Sequence, residues 1–95
     1  METVLQQVKM ALRIKTTTFD NAEITPLINA CLVDLELAGI KKLDLTDDAI
    51  KRAIVLYCKA NFGNIEDAER FDNNYQAFKK NLALSALYNV VDEED

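Results

Sequence analysis

Apolar residues fall along this 95-residue chain in four stretches at helical spacing, separated by short polar segments. Thr3 and Gln6 have the T-x-x-Q spacing of a capping box, and Val4, Val8, Ala11 and Leu12 then share one face of a 3.6-residue helix, predicted over 3–13. Lys15 to Thr18 is polar, β-branched and without period. Asp20 and Glu23 repeat the capping-box spacing and predict the start of a second helix, whose stripe is Ile24, Leu27, Ile28, Cys31, Leu32 and Leu35. Gly39 should end it in the left-handed C′ conformation, with Ile40 as the accompanying hydrophobic contact. Pro26 removes one backbone donor inside this pattern. Either the helix kinks near 22–26, the preferred reading, or its regular part begins with Pro26 at N1 behind Thr25.

Residues 41–45, KKLDL, alternate but are too few to build a sheet alone. Thr46, Asp47 and Asp48 form a cap with acids on the positive helix end, predicting a third helix that runs to Phe62. Ile50, Ala53, Ile54 and Tyr57 make one of its faces, and Val55, Leu56, Cys58 and Phe62 populate the others. Only Lys51, Arg52 and Lys59 remain as a charged strip, and a helix apolar nearly all round is a buried, central one. Gly63 and Asn64 should stop it, with Glu66 to Glu69 as a connecting turn. The last helix is predicted from Asp72 to about Tyr88, with Phe71, Tyr75, Phe78, Leu82 and Ala86 on one stripe and Leu84, Leu87, Tyr88 and Val91 roughly opposite.

The length allows one domain, placed at 1–91, and about 65% of the extended chain's surface can be buried at this size. Two Gly and one Pro are too few for the turns of a small sandwich or barrel. The fold class expected is all-α, a small bundle of three main helices plus a short or kinked N-terminal element. The net charge of −5 comes largely from Asp92, Glu93, Glu94 and Asp95, an acidic tail expected to be disordered; positions 1–91 carry 12 acids and 11 bases. A near-neutral body with a sequence pI of 4.6 argues against gripping duplex DNA. No apolar run approaches the roughly 18 residues of a membrane span and no leader pattern is visible, so a soluble, intracellular protein is expected.

Candidate chemistry is sparse. Histidine is absent, which removes the commonest acid/base and the commonest zinc ligand. Cys31 and Cys58 fall on buried faces and read as inert reduced thiols. The carboxylate pairs Asp47/Asp48 and Asp34/Glu36 read as caps and solvated groups, because adjacent residues diverge on a helix. No catalytic, cofactor or metal site is expected, and the protein should not be an enzyme. A helix-turn-helix built on the second and third helices, with Lys51, Arg52 and Lys59 toward DNA, is opposed by the long Gly39–Thr46 connection and by Asp47 and Asp48 at the reading end.

The segments VKMALRIKTTTFDNAEITPLINACLVDLELAGI (8–40), LDLTDDAIKRAIVLYCKANFGN (43–64) and AERFDNNYQAFKKNLALS (68–85) resemble the phage head-tail connector family, also called phage DNA packaging proteins. The echoes are VKxxLRI at Val8 to Ile14, the TTTFD-type loop ending at Asp20, DLxxAGI at Asp34 to Ile40, KANFG at Lys59 to Gly63 and AERF at Ala68 to Phe71. Pro26 and the acidic end depart from the pattern. The resemblance implies a small helical structural protein of the virion, located at the head-tail junction and in the host cytoplasm during assembly. It implies a homo-oligomeric ring, expected to be twelve-fold, that forms beneath the portal protein after DNA packaging. Such a ring extends the DNA channel without sequence-specific binding and offers a platform to a tail-side completion protein; no cofactor and no membrane are implied. The rival reading is a small helical regulator of nucleic acid or of a host protein. The partner interface is assigned to Leu84, Leu87, Tyr88 and Val91, since two opposed stripes cannot both face one small core. The alternative is that the chain bends after Ser85 and tucks this stripe onto the first helix.

Overall fold

The computed structural model describes residues 2–16, 20–62 and 67–85, with the backbone alone at positions 2, 20 and 21. Four α-helices follow in order: α1 (Glu2–Leu12), α2 (Thr25–Leu37), α3 (Asp48–Asn61) and α4 (Ala68–Leu84), with a π-helical turn over Asp20–Ile24. There is no strand among the described residues, so the expected all-α bundle is the observed class.

Local chemistry explains most boundaries and corrects several expectations. Helix α1 begins at Glu2, which puts Thr3 inside the first turn rather than at a cap. It ends in a Schellman motif: Arg13 takes φ 61°, and the amides of Arg13 and Ile14 donate to the carbonyls of Met10 and Lys9 at 3.1 and 2.9 Å. The expected Asp20–Glu23 capping box is replaced by the π-helical turn. It runs straight into α2, with Ile24 at the N-cap in helical conformation, no side-chain cap bond there, and Pro26 in the first turn. Proline has no amide to donate back into the π-helical turn, and it falls where that turn gives way to the regular α-helix. Helix α2 ends as the sequence predicts. Gly39 has φ 99°, its amide donates to Glu36 at 3.0 Å, and the amide of the fully buried Ile40 donates to Leu35 at 3.1 Å.

Asp47, rather than Thr46, caps α3, its carboxylate accepting from the amides of Ala49 at 2.7 Å and Ile50 at 3.4 Å. Thr46 instead donates both its amide and its hydroxyl to Asp44, at 2.9 and 2.7 Å, closing an Asx turn in the α2–α3 connection. Helix α4 starts four residues before the predicted Asp72, absorbing Ala68 and Glu69 from the expected turn. Glu69 places a negative charge in its first turn, where the helix dipole favours one. It ends at Leu84, with Ser85 extended at φ −84° and ψ 127°, short of the predicted Tyr88. The expected stop at Gly63 and Asn64, and the acidic tail, lie outside the described residues.

Helix α3 is central. It packs against α1, α2 and α4, and α2 also packs on the π-helical turn. Ile50, Ala53 and Ile54 are fully buried and meet Val4 and Val8 of α1, Ile28, Cys31 and Leu35 of α2, and Tyr75 and Leu82 of α4 in a single core. Leu43 and Leu45 of the connection are partly buried against it.

Candidate interaction site

The most developed side-chain cluster joins α2, α3 and α4. Asp34 sits on the flank of the α2 core stripe, three residues from Cys31. Tyr75 and Lys79 lie one turn apart on α4. The Tyr75 hydroxyl donates to Asp34 Oδ2 at 2.6 Å, and Lys79 Nζ donates to the same oxygen at 2.9 Å. The Tyr75 ring meets Tyr57 of α3 edge-on at 5.2 Å between centroids, and Lys79 lies over it at 5.3 Å. Cys31 Sγ is 3.8 Å from the Tyr75 oxygen.

Burial alone would raise the Asp34 pKa, but the bonds from Tyr75 and Lys79 outweigh it and hold the carboxyl below its ordinary value. Tyr75 is pushed upward, first by burial and then by its bond to the carboxylate. It stays a phenol and a donor. Burial also pushes the Cys31 and Cys58 thiols up to about 12, and neither is disulfide-bonded. Such thiols are weak nucleophiles. Among the described residues no group of three or more Cys, Asp or Glu side chains is placed to hold a metal ion. Asp34 is thus half of an interhelical clamp rather than the solvated carboxylate the sequence suggests.

The outer surface carries the features suited to contact with another molecule. Val33 and Leu37, one turn apart on α2, are 54% and 81% exposed, Leu84 at the end of α4 is 75% exposed, and Met10 of α1 is 77% exposed. Of the interface residues read from the sequence, Leu84 is thus on the surface; Leu87, Tyr88 and Val91 lie outside the described residues. The α2 positions were not singled out in the sequence, although Val33 and Leu37 fall off the core stripe at i and i+4.

The cationic strip of α3 is partly engaged within the chain. Lys51 Nζ is 3.7 Å from Asp48, Lys59 Nζ lies 4.6 Å from the centroid of the Phe71 ring, and Arg52 is exposed. Between this strip and α1 runs an open groove of about 320 Å³ lined by Gln7, Ala11, Asp48, Lys51, Arg52 and Val55. No helix among the described residues is long and apolar enough to cross a membrane.

A family model described as "Phage connector protein" matches residues 4–89. The match encloses all three segments that carry the resemblance noted in the sequence. No curated protein and no solved structure matched the chain.

Proposed function

Because the chain belongs to the phage connector protein family, we propose that it is a structural subunit of the phage head-tail connector, assembling as a ring beneath the portal once DNA has been packaged. The family match over residues 4–89 is the observation that carries this reading. The ring extends the DNA channel and presents a platform to a tail-side completion protein, and the subunit acts by contact rather than by catalysis. The near-neutral body suits a channel wall along which DNA slides without being held. Leu84, with Leu87, Tyr88 and Val91 beyond it, is the proposed contact with the portal or the tail-side partner.

Each subunit contact in so small a chain is weak, and it becomes strong only when a template presents neighbours at high effective concentration. The free protein is therefore expected to sediment as a monomer at micromolar concentration. Electron microscopy of the protein mixed with the portal should show added ring density beneath it. Absence of that density, together with tight duplex binding at physiological salt, would overturn the connector reading in favour of a nucleic-acid regulator. The Leu87→Ser, Tyr88→Ser double variant should lose portal binding at an unchanged melting temperature; a large fall in melting temperature would mean that these residues are core.

A further inference from the structure

Helix α2 is apolar on two opposite sides. Ile28, Cys31 and Leu35 turn into the core, and Pro26, Ala30, Val33 and Leu37, spaced 4, 3 and 4 residues apart, form a second stripe that is exposed along its whole length. An exposed apolar stripe on the outer side of a helix that already buries its inner face marks a surface for another molecule to cover.

Charge indicates what that molecule is. From Asp20 to Ala38 the chain has Asp20, Glu23, Asp34 and Glu36 and no basic residue; Asp34 is used by Tyr75 and Lys79, while Glu23 and Glu36 are exposed beside the stripe. A surface of the opposite character is present on the same chain. The α1–α3 groove has an apolar floor from Ala11 and Val55 and is edged by Lys51 and Arg52. The ion pair there, Lys51 with Asp48, is long at 3.7 Å and its Asp48 carboxylate is fully exposed, so exchanging that partner costs little. The α2 stripe faces away from α3, whereas the groove opens on the outward strip of α3, and the two patches share no residue. They do not meet within one chain.

We infer that the outward stripe of α2 docks into the α1–α3 groove of a second copy of this chain, Glu23 and Glu36 meeting the partner copy's Lys51 and Arg52. The contact joins two different patches, so it is head-to-tail and leaves each end of a growing assembly free to take another subunit; such a contact closes into a ring when the rotation between copies allows. This deepens the connector reading and rests on it.

Zero-length carbodiimide cross-linking of the portal-bound protein, using a mixture of isotopically light and heavy chains, tests the contact directly, since the reagent joins a carboxylate to an amine it touches. The expected product is a light–heavy cross-link between Lys51 and Glu23 or Glu36. Leu37→Lys changes an exposed side chain, so it should keep the wild-type melting temperature while subunit occupancy on the portal falls at least tenfold. Arg52→Glu should behave alike. Mixing the two variants on the portal should restore bound pairs, because one intact stripe then meets one intact groove, but should not restore rings. Wild-type rings formed by Leu37→Lys, or cross-links from Glu23 and Glu36 only to the portal, overturn this contact and leave the ring reading standing. A wild-type chain that neither decorates the portal nor self-associates overturns both.

Discussion

Tyr75 donates its hydroxyl to Asp34 over 2.6 Å, joining α4 to α2 through residues 41 positions apart. Tyr75→Phe keeps the ring and its edge-on contact with Tyr57 but deletes this bond. Truncation of one charge-assisted hydrogen bond costs about 1–2 kcal/mol, and each kcal/mol lowers the melting temperature of a domain this size by about 4–8 °C. Thermal unfolding followed by circular dichroism should show that fall, and an unchanged melting temperature would mean that the clamp carries no stability.

Acid should weaken the same clamp. The Asp34 carboxyl has a folded-state pKa below its unfolded value of about 3.9, so its contribution is complete above that value and is lost as pH falls through the folded pKa. Urea midpoints measured from pH 6 to pH 2 should drop more steeply for the wild type than for Asp34→Asn. At neutral pH the variant should be less stable by about 1 kcal/mol, a modest figure because the carboxylate is partly solvated.

Two helix ends close with the same Schellman geometry but different residues, Gly39 after α2 and Arg13 after α1. Left-handed backbone strains any residue with a Cβ, so Arg13→Gly should stabilise the protein by about 0.5–1 kcal/mol. Gly39→Ala should cost about 1 kcal/mol through backbone strain alone, since no atom lies within 4 Å of the added methyl. Chemical denaturation of both variants checks the opposite signs.

Ile54 is fully buried at the centre of α3, and Ile54→Asp should leave no cooperative melt. An unpaired buried charge costs several kcal/mol against a total stability of about 5–15 kcal/mol. A melt near that of the wild type would displace α3 from the core.

Cys31 and Cys58 should resist a disulfide-exchange reagent at pH 8 in the native state, reacting at least about a hundredfold more slowly than in denaturant, because burial keeps both thiols protonated. Rapid labelling of either thiol in the folded protein would show that it is accessible.

The core was legible in the sequence where a periodic stripe coincided with a stop signal. Ile24 to Leu35 followed by Gly39 located both the inner face and the end of α2, and the acids at Asp47 and Asp48 located the start of α3. The ends of α4 were not legible, because the polar run around Asn73 and Asn74 gives no start signal and nothing before Ser85 marks a stop. The Asp34 clamp was hidden for a different reason: its meaning depends on two residues of another helix, and a carboxylate beside Leu35 reads equally well as solvated. The outer α2 stripe was present in the spacing of Ala30, Val33 and Leu37, but one strong face on a helix masks a second.

The central position of α3 also bears on how the chain reaches its fold. Its contacts with α2 and α4 join elements adjacent in sequence, and closing those loops costs less entropy than closing one across a whole intervening helix. The docking of α1 on α3 is different, because it must span the whole of α2. For a helical topology dominated by local pairings, folding on the microsecond-to-millisecond scale is expected. The α2–α3–α4 unit would form first and α1 would close over Ile50 and Ile54 last, making the N-terminal helix the part of the domain whose arrival completes the core.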